Sequence, residues 1–445
     1  MSANSNLYDN IQIDITNDKG VPVALSIDAG DVFSSVKVNW ATFCEKITIK
    51  QKRYGEASIA TLTFSLVSSY GRMGGEKNSV IKNPIQLGDR VTITIKKNID
   101  LSNYFDISEG GIVHVGGDKK IFVGYVWNIS QNHLGEVNIT CYDLLKYLQN
   151  QKCFFSYTKG QTAMQIINSA VSELNLGKGE KGIKLKLDTA LFTAYKVDTT
   201  GTQEKFYEYG KNFIDMVNWL LNRCLMSGLV NDTAFGNYML FLVDYETNSI
   251  NIGTASMLGR ISPYVICGKS MISECELNQS IESDVYNSIY AGIDYVSTDI
   301  GGMWWGLTTE TGSVEQLGTL PHYERFSQSD FYKEDTTLTI DAVKKIMEKM
   351  VLIKNKPKVK LTLKGIGNPF LHAGMLVPVS LPKSMVDGLL TSYSMESAVS
   401  KDTPIVLIDE INHTITQNTF EMDFTASVLL DKFVSWKSAN TKEIK

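Results

Sequence analysis

Six cysteines and five histidines carry the thiols and imidazoles of this 445-residue chain. Cys44, Cys141, Cys153, Cys224, Cys267 and Cys275 form no CxxC pair. His114, His133, His322, His372 and His413 stand singly, without HExxH or HxH spacing. A metal or redox site needs several such ligands at short fixed intervals, so none is expected. The nearest approach to a thiol peptidase is Cys141 with His133, on two strands expected to be neighbours. Cys141 follows Ile139 at strand spacing, which turns it into the core, where a thiol stays protonated and inert. No GxSxG elbow is present. Glu282 and Asp284 share one strand face, as a glycosidase pair would, yet a solvated strand edge is the simpler account. Gly177, Gly179 and Gly182 spell GxGxxG, but a helix precedes them and strand-like Ile183–Leu187 follows, the reverse of the dinucleotide-binding order. That stretch reads as a loop. No catalytic residue, cofactor or metal is assigned, and no enzymatic activity is expected.

The conspicuous aromatic feature is Trp304-Trp305, framed by Gly301-Gly302 and Gly306. Adjacent strand residues point to opposite sides, so at least one ring is expected in solvent unless something covers it. One reading is an interface anchor, since tryptophan is enriched at interaction hot spots. Another is packing beneath the long loop 296–320, and a third is a platform for sugar rings. Two polar, Gly-rich stretches, Ser68–Asn83 and Asn98–Lys119, exceed ordinary connections and read as functional or disordered loops. Met73 in the first and Tyr104 in the second join Trp304 and Trp305 as interface candidates.

The elements that must position these residues are mostly strands. Ile11, Ile13 and Ile15 alternate with polar neighbours, as do Ile47 and Ile49, Ala60 to Leu66, and Val91, Ile93 and Ile95. Period two places one face in a core and the other in water, as in antiparallel sheets. Strands Ile121–Ile129 and Gly135–Cys141 follow. Asp143 then caps a short helix with Leu144, Leu145 and Leu148 inward. Residues 1–150 are thus expected to form a β barrel or sandwich closed by one small helix.

Near residue 155 the pattern changes. Thr162 and Gln165 form a capping box ahead of Ala163, Ile166, Ile167, Ala170, Val171 and Leu174 at helical spacing. A second helix spans about Lys211–Ser227, and a hairpin pairs Tyr238–Val243 with Ser249–Ile252. Residues 151–264 read as an α+β unit. From Cys267 strands return: Tyr286–Tyr295, Lys358–Lys364, Met375–Leu381, Pro404–Ile408, His413–Gln417 and Thr419–Val428. One helix capped by Thr339 interrupts them, with Ile340, Val343, Ile346, Met347, Met350 and Val351 inward. Residues 265–430 form the second β region, and 431–445 a short mixed-charge tail. No repeat with a period of roughly 20–50 residues is visible.

The hydrophobic fraction of 43% and charged fraction of 20% are those of an ordinary globular protein. A net charge of -5 from 43 basic and 48 acidic residues excludes a phosphate-neutralising nucleic-acid binder and a polybasic membrane-surface protein. No apolar run approaches the ~20 residues of a bilayer span, so no membrane insertion is expected. Met1–Thr16 has neither basic nor apolar leader character, and no secretory signal is expected.

Several segments in order carry a resemblance. Ile121-Phe122-Val123-Gly124-Tyr125-Val126 leads through Ile139-Thr140-Cys141-Tyr142-Asp143 to Leu148 and then Thr162-Ala163. The hairpin 238–252, Ser280 to Asn287, Trp305-Gly306 to Tyr323 and the helix 339–354 follow. Lys360 to Gly365, Ala373-Gly374-Met375 and His413 to Ser427 complete the set. Together, over roughly residues 35–430, they resemble the baseplate hub proteins of contractile phage tails, in particular those of Gram-positive prophages and phage-tail-like bacteriocins. The resemblance implies a mainly β fold, with two tail-tube-like β-barrel domains flanking a smaller α+β domain. It further implies a homotrimer whose six barrels adapt the sixfold tail tube protein to a threefold central spike protein. The tape-measure protein and baseplate wedge proteins are implied neighbours, and assembly in the bacterial cytoplasm is implied for the particle. Long loops near 68–83, 98–119, 190–210 and 384–402 set this chain apart from compact members. The rival reading is a cell-wall-directed tail-tip protein, a peptidoglycan binder or hydrolase using Trp304 or Trp305.

Overall fold

The computed structural model describes residues 10–23, 25–29, 32–36, 39–64, 81–82, 85–96, 118–132, 136–158, 160–174, 184–187, 189–194, 205–226, 239–254, 266–267, 272–281, 285–294, 303–327, 336–354, 358–381, 384–385 and 403–434. Met73, Tyr104, His114, His133, Glu282, Asp284 and the GxGxxG stretch lie outside them.

The first unit contains β1 (Ile11–Thr16), β2 (Leu25–Ala29), β3 (Val32–Val36), β4 (Cys44–Lys52), β5 (Ile59–Phe64), β6 (Ile81–Lys82), β7 (Arg90–Ile95), β8 (Lys119–Gln131), β9 (Val137–Tyr142) and α1 (Leu144–Asn150). The expected alternation is realised literally: β1, β5, β7 and β9 bury every second residue. Asp143 ends β9 and caps α1, its Oδ1 accepting from Leu145 N at 3.0 Å and its Oδ2 from Ser58 N at 3.0 Å.

The insert that follows holds β10 (Lys152–Thr158), α2 (Ala163–Glu173), β11 (Lys184–Leu187), α3 (Thr189–Ala194), β12 (Lys205–Asn212), α4 (Phe213–Met226), β13 (Met239–Asp244) and β14 (Ser249–Thr254). The capping box forms as the sequence implies, with Gln165 N donating to Thr162 Oγ1 and Thr162 N to Gln165 Oε1. Part of the expected loop 190–210 is instead α3 and β12. The latter is held by pairing along β10, a long-range partner that local periodicity does not reveal. Leu145, Ile166, Phe213, Val217 and Phe241 share one apolar cluster with Ile13, Leu62 and Ile139, so the core of the first unit runs into the insert.

The second unit comprises β15 (Ile266–Cys267), β16 (Ile272–Ser280), β17 (Ser288–Asp294), β18 (Met303–Thr309), α5 (Thr311–Leu317), β19 (Pro321–Ser327), α6 (Thr336–Lys354), β20 (Lys358–Ile366), β21 (Leu376–Ser380), β22 (Thr403–Thr416) and β23 (Phe420–Val434). Two strands expected at 404–408 and 413–417 are one, β22, bent by a bulge between Ile408 and Glu410. β17, β18 and β19 form a separate small sheet. α6 covers it through Val343, Ile346, Met347 and Val351 against Tyr286, Ile289 and Ala291.

The two β regions are joined edge to edge. A single sheet runs β1-β7-β8-β9-β5-β4-β22-β23-β20-β16, with β21 alongside β22 and β15 alongside β21. The second unit repeats the first. The order β7-β8-β9-β5-β4 recurs as β21-β22-β23-β20-β16, antiparallel at every step. Register shifts coincide as well: Val126/Asn128 on β8 matches Ile408/Glu410 on β22, and Cys44/Lys46 on β4 matches Ile272/Glu274 on β16. So do the turns before β7 and β21. Gly88 N donates to Val126 O and Gly374 N to Ile408 O, both at 2.8 Å, with φ of 89° and 78°. Such φ values favour glycine. A bulge is a specific device rather than an accident of packing, so coincident bulges mark one arrangement built twice.

Candidate assembly surfaces

The seam between the two units is the antiparallel pair β4–β22. Ile47, Ile49 and Gln51 face Ile415, His413 and Ile411 across it, and all six are buried. Gln51 ties three segments together: Nε2 donates to Ile121 O at 3.1 Å, and Oε1 accepts from Ala373 N at 3.3 Å. His413 makes a hydrogen bond through Nε2 with Leu371 O at 3.2 Å, and its ring lies against Phe420. Full burial disfavours the imidazolium and pushes the pKa down to about 4. On the outer side, Lys50 Nζ meets Glu410 Oε1 at 2.6 Å. Arg53 Nε pairs with Asp409, whose other oxygen accepts from Ser427 Oγ at 2.6 Å.

The β13–β14 hairpin wedges against this seam. Phe241 N donates to Arg53 O and Gly55 N to Phe241 O, both at 2.9 Å, while Leu240 and Leu242 pack with Leu376 and Leu407. A cleft of about 430 Å³ opens beside it, lined by Lys119, Lys120, Lys186, Glu246, Asn251 and His372 among others. Glu246 lies 3.5 Å from Lys119 Nζ and accepts from the backbone N–H of Lys120 at 3.2 Å. Buried thiols offer no nucleophile. Desolvation pushes Cys44 up to about 12 and holds Cys141 far above its ordinary range. Among the described residues no group of three His, Cys, Asp or Glu side chains could hold a metal ion.

The Trp304-Trp305 pair lies in a strand rather than in the loop expected over 296–320. β18 pairs along β17, with Trp304 opposite Ile293 and Trp305 opposite Gly292. Trp305 is 56% exposed and rests its ring on Gly292, where a Cβ would sit 3.1 Å from it. Leu307 and Tyr323 continue the same exposed face, with Tyr290 stacked on Tyr323 at 5.1 Å. This face belongs to the small sheet, so the structure brings Trp305 together with Leu307 and Tyr323.

Local motifs did not single out the strand edges. β16 has β20 on one side and no strand on the other among the described residues. On β8, β7 pairs only as far as Tyr125, and no strand lies along that side of 127–131 among the described residues. A signal existed in the sequence. Glu274-Cys275-Glu276-Leu277-Asn278-Gln279 repeats the pattern of Lys46-Ile47-Thr48-Ile49-Lys50-Gln51.

Two solved structures share this architecture. One is the 43 kDa tail protein of prophage MuSo2 from Shewanella oneidensis, with 13% identity over 91% of this chain and 98% of that one and a TM-score of 0.50. The other is a tail protein from Neisseria meningitidis MC58, with 10% identity over 91% and 96% and a TM-score of 0.50. At such identities the likeness is one of fold, and the fold is that of a phage tail protein. The chain belongs to the YQBQ-like family, whose model matches residues 47–427. The resemblance to tail hubs drawn from the ordered segments thus holds in fold and family. No curated protein matches the chain.

Proposed function

We propose that the chain is a structural hub of a contractile phage tail or tail-like particle, a ring part that joins the tail tube to the central spike. The observation that carries this reading is the doubled β unit fused along β4–β22 in one sheet. A subunit holding two equivalent units converts three copies into six similar positions, which suits a junction between sixfold and threefold partners. The implied domains are the two β units and the α+β insert between them. The implied neighbours are the tube, the spike, the tape-measure protein and the wedge proteins, and the implied location is the tail baseplate. The role is one of shape and contact, without catalysis.

The test is the native mass of the full chain, alone and with its spike, together with an image of the particle. A threefold ring at the tube–spike junction is expected. A stable monomer that binds or clears peptidoglycan, with or without the spike, overturns the proposal in favour of the cell-wall reading.

A further inference from the structure

The internal seam β4–β22 has two counterparts, β16 and the end of β8, that are without a seam partner among the described residues. Matching the two units through their pairings sets Ile47, Ile49, Gln51 and Arg53 of the first against Cys275, Leu277, Gln279 and Ile281 of the second. Likewise Asp409, Glu410, Ile411, Asn412 and His413 correspond to Trp127, Asn128, Ile129, Ser130 and Gln131. In the first unit, β4 is covered by β22, and Ile47 and Ile49 are wholly buried. In the second, β16 has the same alternation but every inward position is more exposed, and Ile281 is 50% exposed. That is the profile of a seam strand lacking its neighbour. The segment that covered β4, the end of β22 past its bulge, has its counterpart in the end of β8, which also lacks a strand there among the described residues.

Resting on the ring-subunit reading above, we infer that a second copy of this chain docks the 127–131 end of its β8 antiparallel onto β16, in the register of β4 on β22. Asn128 of the neighbouring copy then faces Ser280, Ile129 faces Gln279, Ser130 faces Asn278, and Gln131 faces Leu277. The chemistry fits. The pairs Ser130–Asn278 and Asn128–Ser280 replace the charged outer side of the internal seam with uncharged polar groups. The Arg53–Asp409 ion pair is replaced by Ile281 beside Trp127, an apolar contact that removes the exposed isoleucine from water. The junction is head-to-tail, so it repeats from copy to copy and closes only as a ring. An unpaired edge of this kind otherwise invites indiscriminate strand addition.

The test is a double variant of the full chain, Ser130→Cys with Asn278→Cys, oxidised and run on a non-reducing gel. Covalent oligomers are expected, ending at a closed species, and absent from either single variant. A control with the register shifted, Ser130→Cys with Glu274→Cys, is expected to cross-link at least tenfold less. Ile281→Asp, on an exposed side chain, is expected to leave the chain folded by circular dichroism and to abolish the oligomer. Equal cross-linking in the shifted register overturns the inference. So does a double variant whose native mass remains oligomeric but which gives no cross-link; the ring reading then survives with a different interface. A chain that is monomeric, with and without its spike, and fails to cross-link overturns both.

Discussion

β4 and β16 hold the same place in two copies of one arrangement, and their side chains follow the same alternation. They differ in what lies beyond them. β4 has β22 hydrogen-bonded along its outer edge, and its inward residues are fully buried. Among the described residues β16 ends the sheet, and Cys275 and Leu277 remain half-buried. Burial at these positions is therefore set by neighbouring strands rather than by the strand's own sequence. The same pattern gives a core strand in one unit and a reactive edge in the other.

The sharpest way to break this comparison is truncation at equivalent inward positions. Ile49→Ala removes wholly buried methyl groups at the seam and is expected to cost about 3 kcal/mol of stability in urea unfolding. Leu277→Ala is expected to cost the isolated chain about 1 kcal/mol, because its site is only partly closed. Equal losses would mean that β16 is already sealed within one chain.

The ends of the two units give a second contrast. In the first, Asp143 stops β9 and starts α1, whereas β23 in the second continues to Val434. Asp143→Ala strands two buried N–H groups, those of Ser58 and Leu145, and is expected to cost about 2 kcal/mol. Desolvation raises the Asp143 carboxyl from 3.8 to about 7. The folded form therefore holds the proton more tightly than the unfolded chain. Its contribution to stability is complete below pH 3.8 and is lost as pH rises through about 7. Asp143→Asn is expected to flatten that decline in thermal unfolding across the same range.

His413 shows the opposite sign. Its folded pKa is depressed to about 4, so its contribution is present above pH 6.5 and is lost as pH falls toward 4. Its counterpart in the other unit is Gln131, which does not titrate. His413→Gln is expected to remove most of the acid-side loss in that window, as read by unfolding at pH 7 and pH 4.5. The smallest effect belongs to the outer ion pair. Lys50 and Glu410 are both substantially exposed, and Lys50→Ala is expected to change stability by less than about 0.5 kcal/mol.

Much of the fold is legible in the sequence because period two, capping residues and helical spacing are local. Ile11/Ile13/Ile15, the Thr162–Gln165 box and the α6 stripe all appear where the pattern places them. The duplication shows in the shared pattern of 46–51 and 274–279 but not as a repeat period. Its two copies share Thr61 with Thr362, Leu62 with Leu363 and Thr140 with Thr425, yet insertions of unequal length separate these strands and leave no constant period. β22 reads in the sequence as two strands because its bulge interrupts alternation at Asp409, and only the pairing with β4 and β23 restores continuity. Trp305 was visible as an unusual residue. Its setting on Gly292 was not, because strand pairing brings those two together across a gap that no local pattern spans.

The hairpin turn between β4 and β5 is short, residues 53–58, while the same point in the second unit carries everything from 281 to 357. That excursion leaves and re-enters between adjacent strands, so it adds a body without disturbing the sheet. In the ring proposed above, turns carrying this excursion would alternate with turns packed against the β13–β14 hairpin. A partner gripping only the shared sheet would see every position alike, whereas one reading the rim would count half as many sites. Under that proposal, one loop of one hairpin would carry the change of symmetry without a separate adaptor.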